Sequence, residues 1–163
     1  MNRQQYGRRV LIALFALAAL PIAAAQFAYD YLRPDGGQSF GELIAQPVAT
    51  HASRWRLAAV GADNCGAQTQ ALLFSAGQLQ RAQGEASRRL VATTTAPCTS
   101  AAVLATHPLL AAPGLYLIDP SGNAVLRYRP DQLADDAGRR RALQEIGKLL
   151  KQNRRLGDTW QNT

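Results

Sequence analysis

The chain has 163 residues, a formal net charge of +7 and only two cysteines, so it has room for one ordinary domain with a short appendage and cannot be a disulfide-rich scaffold. The positive charge does not mark a nucleic-acid binder, because the basic residues are not interleaved with stacking aromatics. They gather at Arg3, Arg8 and Arg9 and again between Arg139 and Arg155, a pattern that fits a negatively charged membrane surface better.

Residues 1–9 form a basic tail, and from Val10 to Ala25 no residue is polar; the apolar character resumes at Phe27 and Ala28. Residues 10–29 therefore come close to the ~20 that a helix needs to cross hydrocarbon. The three arginines before them keep the N-terminus cytoplasmic and send the rest outward, with Phe27, Tyr29 and Tyr31 as an outer aromatic belt. Ala23-Ala24-Ala25 also satisfies the small-x-small rule for signal cleavage. Anchor and cleaved signal alike place the remainder outside the cytoplasm, which in a bacterial cell is the periplasm, where disulfides persist. Residues 30–39, with Pro34, Gly36 and Gly37, read as a linker, residues 40–157 as the domain and 158–163 as a tail.

Within the domain, Phe40 to Ile44 reads as a short edge element and Gln46 to Ser53 as irregular chain. Trp55 to Val60 is a compact apolar run, hence a strand, ending at Gly61. Leu72, Ala76 and Leu79 then fall at i, i+4 and i+7, which predicts an amphipathic helix from Cys65 to its stop at Gly84, capped by Asp63 or Asn64. Cys65 is thereby expected in the first helical turn, where unpaired amides and the helix dipole favour a thiolate. Leu90 to Thr95 is β-rich and reads as a second, parallel strand leading to Cys98. In a β-α-β unit both strand C-termini open on one edge, so Cys65 and Cys98 are expected near each other. The pair admits three readings: a disulfide, two independent buried thiols, or a metal-binding or catalytic pair.

Thr99 to Leu110 is expected to be a short helix that Pro108 ends or bends, and His107 is the one imidazole near this edge of the domain. His51 lies in the irregular stretch. Ala112-Pro113-Gly114 delivers the chain into Leu115–Ile118. Asp119-Pro120-Ser121-Gly122 fits a type I turn, and Ala124–Tyr128 completes a hairpin. Asp131 to Leu156 carries Leu143, Ile146 and Leu150 on one face with acids near the start and bases near the end, the polarity a helix dipole favours. No Gly-rich phosphate loop, HExxH, GxSxG or paired catalytic carboxylates occur.

The order is thus β-α-β, then β-β-α, an α/β domain preceded by one transmembrane helix. With Pro113 before the strand, the DPSG turn, the Trp55 strand and the helix end Leu79–Gly84, residues 40–156 resemble the thioredoxin superfamily, and more narrowly its Sco/SenC-like and TlpA-like membrane-tethered members. The resemblance implies a thioredoxin-like fold and a cis-proline at Pro113 facing the active-site cysteine. It also implies association with cytochrome c oxidase subunits or assembly factors at the bacterial inner membrane. Sco-like proteins carry Cys-x-x-x-Cys, a dithiol that exchanges electrons or binds copper with a distant histidine. Here that run is Cys65-Gly66-Ala67-Gln68-Thr69, and the second thiol is absent. No cofactor is therefore expected, and the expected role is binding rather than dithiol catalysis. The alternatives are a thiol-disulfide oxidoreductase using Cys65 and Cys98, and a copper metallochaperone using Cys65, Cys98 and His107.

Overall fold

The computed structural model describes residues 3–31, 39–97 and 101–156. The chain falls into two units, the first ending at Gln38 and the second beginning at Ser39. In the first, Arg3–Tyr31 forms one helix, α1, with Pro21 inside it. Its 21-residue stretch Gly7–Phe27 is exposed throughout and is long and apolar enough to cross a membrane. At 1.5 Å per residue it rises about 31 Å, the thickness of a bilayer's hydrocarbon.

The second unit is built on a six-stranded mixed sheet. Its strands are β1 (Glu42–Pro47), β2 (Trp55–Val60), β3 (Leu90–Thr94), β4 (Ala102–Val103), β5 (Gly114–Ile118) and β6 (Asn123–Tyr128), in the order β1-β6-β5-β2-β3-β4. β2, β3 and β4 run parallel, while β5 is antiparallel to β2, β6 to β5 and β1 to β6. The helix α2 (Ala67–Ala82) carries the chain from β2 to β3, as a parallel crossover requires, and α3 (Asp136–Gln152) follows β6.

Alternation along the strands divides the core in two. Trp55, Leu57, Leu117 and Leu126 pack with Leu72 and Leu79 of α2 and Ile146 and Leu150 of α3. On the opposite face Ala58, Val60, Tyr116 and Ile118 are covered by Val48 and Leu104 from loops and Leu110 from a 3-10 turn. Both faces are closed, so every residue of β2 is buried, including Arg56, whose guanidinium donates to the Thr50 carbonyl at 2.7 Å. Each fully buried leucine contributes roughly 1.5–3 kcal/mol.

The DPSG hairpin forms as the sequence predicts. Gly122 donates to the Asp119 carbonyl at 3.0 Å and takes φ +97°, a conformation that favours glycine. The Asp119 carboxylate accepts from the Asn123 amide at 2.8 Å. The edge element also forms, but it extends to Pro47 and bulges between Leu43 and Gln46, with Ala45 at φ +52°. Bulge and proline together blunt the open edge of the sheet.

Two expectations are corrected here. The helix expected from Thr99 to Leu110 is not formed among its described residues. β-Branched Val103 instead pairs with Thr94 in the short strand β4, and Pro108, which cannot continue a helix, opens a 3-10 turn at Pro108–Leu110. The final helix is also shorter than its periodicity predicts. Asp131–Leu133 is a separate 3-10 turn, and α3 begins after Asp135, whose carboxylate accepts from the Gly138 amide at 2.7 Å. At its far end Arg89 donates to the carbonyls of Leu150, Asn153 and Leu156 at 2.9, 2.6 and 2.6 Å, satisfying groups that helix geometry leaves unpaired.

One carboxylate ties the start of the domain to α3. Glu145 accepts from the Ser39 hydroxyl at 2.8 Å, the Phe40 and Gly41 amides at 3.0 and 3.1 Å and the Tyr128 hydroxyl at 3.0 Å. Tyr128 is fully buried; burial first, and then the neighbouring Glu145 charge, push its phenol far above the usual range. Replacing Glu145 by Ala leaves four donors without an acceptor. The expected cost is about 2–3 kcal/mol, read as a lower denaturant midpoint at unchanged slope, while Glu145→Gln recovers part of it.

Candidate functional site

Three chain segments meet at one end of the sheet. β2 and β3 both point their C-termini there, and β5 starts there, since Val60 pairs with Gly114 and the Thr95 amide donates to the Ala59 carbonyl at 3.4 Å. Gly61, Asp63 and Cys65 leave β2 at this edge, and Pro113 enters β5 beside them in register. This is the edge on which a parallel β-α-β crossover places ligands and reactive groups.

Cys65 is a free, half-buried thiol, but it does not lie in the first turn of α2. The helix begins at Ala67 with Gly66 as its N-cap, so Cys65 stands one residue outside, in a turn where its amide donates to the Asp63 carbonyl at 2.6 Å. Asn64 takes φ +50°, which turns the chain between the two. The turn brings the Asp63 carboxylate under the helix start, where it accepts from the Gln68 amide at 3.0 Å, the Thr69 amide at 3.2 Å and the Thr69 hydroxyl at 2.6 Å. The helix N-terminus that would serve an anionic sulfur already serves an anionic carboxylate.

Thr69, which stands where a Cys-x-x-x-Cys protein has its second sulfur, is completely buried and spends its hydroxyl on Asp63. The two glycines beside this contact are required by space. A Cβ at Gly61 would collide with the Thr69 hydroxyl, and one at Gly66 with the Asp63 carboxylate. Sequence reading assigned Asp63 a capping role but missed that Thr69 is its main partner. The signal was there in the spacing Gly61-x-Asp63-x-x-Gly66-x-x-Thr69, a short acid six residues before a hydroxyl, with one glycine before the acid and one between the two.

Pro113 lies at the expected edge, but the Ala112–Pro113 bond is trans, as are all the described peptide bonds, which corrects the expected cis form. The corner is held by its carbonyls instead. Ala112 accepts from the Tyr116 hydroxyl at 2.8 Å and Pro113 from the Arg127 guanidinium at 3.0 Å. Arg127 also pairs with Glu42 at 2.9 Å. Burial pushes the Tyr116 phenol up, Arg127 opposes that and Glu42 adds to it.

His107 is half-buried and uses Nδ1 locally, accepting from the Leu109 amide at 3.3 Å. Cys98 lies outside the described residues, and so do a Cys65–Cys98 disulfide and a copper set of Cys65, Cys98 and His107. Among the described residues no group of three or more His, Cys, Asp or Glu side chains is placed to hold a metal. No family model matches the chain, and neither does any curated protein or solved structure.

The Asp63 contacts have a pH signature. The Thr69 hydroxyl, with the Gln68 and Thr69 amides adding to it and burial opposing it, holds the Asp63 carboxyl below the usual carboxylate range. A depressed folded-state value means that the contribution is complete above the unfolded-state pKa and is lost as pH falls through the folded one. Asp63→Asn removes that titration and Thr69→Val moves it back toward its ordinary position. Both variants are therefore expected to lose less stability than the wild type on acidification to about pH 3, measured by denaturant midpoints across the range. An acid limb unchanged in Asp63→Asn would contradict the assignment.

Proposed function

We propose that this is a membrane-anchored protein with a thioredoxin-like domain outside the cytoplasm, which assists the assembly or maintenance of a cytochrome c oxidase by binding rather than by dithiol exchange. The fold reading is supported by the inner strand order β6-β5-β2-β3 with β2 and β3 parallel and the hairpin antiparallel to them, joined through α2 and followed by α3. The observation that carries the functional reading is Thr69. A buried hydroxyl, already bonded to Asp63, occupies the position of the resolving sulfur and leaves Cys65 without a partner in its own motif. The outward orientation rests on Arg3, Arg8 and Arg9 before the apolar helix, and the oxidase on the likeness of the PGLYLIDPSGN run to Sco-related proteins.

A deletion strain complemented with variants tests this reading. Deletion is expected to lower the haem absorbance of the assembled oxidase, and both wild type and Cys65→Ser are expected to restore it. Oxidase levels untouched by deletion would remove the oxidase assignment. Failure of Cys65→Ser to complement would move the function to thiol chemistry.

A further inference from the structure

The outer face of α3 carries a cluster of basic side chains. Ala142, Ile146 and Leu150 turn one side of the helix into the core. At 100° per residue the opposite side carries Arg140, Arg141, Lys148 and Lys151, all exposed, and Arg154 and Arg155 follow just beyond the helix. None of the six forms an ion pair among the described residues. Of the acids of the helix, Glu145 serves the Ser39–Gly41 segment and Tyr128, Asp135 is the cap, and Asp136 pairs with Arg139 at 2.6 Å with Arg140 as a further neighbour. One further acid, Glu85, shares a groove with Lys151 and Arg154 at the edge of the patch.

The chain enters the domain on this same helix. Ser39, Phe40 and Gly41 are fixed to Glu145, a helical neighbour of Arg141 and Lys148, and the Arg141 guanidinium lies 5.8 Å from the centre of the Phe40 ring. Only residues 32–38 separate Ser39 from the last residue of α1, Tyr31, so eight peptide steps reach at most about 29 Å. We propose that the basic face of α3 rests on the anionic phospholipid headgroups of the membrane in which α1 is anchored, an inference that depends on the membrane reading of α1. Each basic side chain at an anionic surface strengthens such a contact roughly fivefold. The tether keeps that surface within reach at all times, so weak charge contacts act together without a folded pocket. Lipid fits this face better than an acidic protein because the patch adjoins the point at which the chain enters the domain.

Lys148 and Lys151 are the only lysines in the chain, so amine labelling reads this face selectively. The full chain would be reconstituted in nanodiscs of phosphatidylcholine or phosphatidylglycerol, treated with an amine-reactive ester and digested for peptide mass analysis. Labelling of both lysines is expected to fall about fivefold in phosphatidylglycerol and to recover in high salt. It is also expected to recover in the Arg140→Gln/Arg155→Gln double variant, whose loss of protection distinguishes contact from a surface potential acting at a distance. Equal labelling in the two lipids, with the chain embedded, would overturn the proposal while leaving the anchor standing. A chain that does not enter the discs would overturn both. Equal labelling in the discs together with protection in native membrane vesicles would assign the face to an acidic protein instead and overturn the lipid contact.

Discussion

The closure of both faces over β2 is the constraint on which the rest of the domain depends. A strand whose six residues are all buried cannot lie at an edge or present one side to water, so it needs a hydrogen-bonded neighbour on each flank and a packed layer above and below. β3 and β5 supply the flanks, one parallel and one antiparallel. α2 and α3 supply one layer, and Val48, Leu104 and Leu110 supply the other from loops and a 3-10 turn. Because the loop layer carries little regular structure of its own, it is held by individual bonds. The amides of Val48 and Ala49 donate to Gly122, that of Ala52 to Pro120 and that of Leu104 to Thr94. The backbone groups of a covered loop must be satisfied one at a time, and here the hairpin turn provides several of the acceptors.

What happens at the end of β2 follows from how tightly that strand is fixed. Gly61 leaves the sheet with Thr69 packed against it, so Asp63 is delivered under the first amides of α2 without any freedom to choose another partner. A cysteine at residue 69 in place of threonine would offer that carboxylate no comparable hydrogen bond, since a thiol is a weak donor. Threonine and aspartate therefore belong together. With this pair in place the helix start is taken up by its own ionised capping acid. Cys65, one position outside the N-cap, keeps its place near the edge but loses the electrostatic advantage of the helix.

Much of this was legible in the sequence. Five of the six strands, both domain helices and the hairpin turn follow from apolar runs, 3.6-residue spacing and turn chemistry, because in each the local pattern and the tertiary packing agree. Ala102-Val103 reads as helix from a cap at Thr99 or Ser100 and the apolar run that follows, whereas the pairing of Val103 with Thr94 decides the outcome, and no local signal records a partner nine residues upstream. Cys65 was placed in the helix for a similar reason. Apolar periodicity locates the body of a helix and leaves its first residue to capping, and the cap here works from Asp63, three residues before Gly66, through side-chain bonds that periodicity does not encode. The trans bond at Pro113 was outside the reach of sequence, since X-Pro admits both forms within about 1 kcal/mol and the surrounding contacts choose between them.

α3 links these parts. Its inner face closes the helical layer over β2, its C-terminal carbonyls are held by Arg89 just before β3, and its flank at Glu145 receives Ser39, Phe40 and Gly41 and the hydroxyl of Tyr128 from β6. Ser39 is thus joined through one carboxylate to a packed helix, and through Tyr128 to β6, the strand beside the edge of the sheet. Several charge-assisted bonds couple the start of the domain to its core.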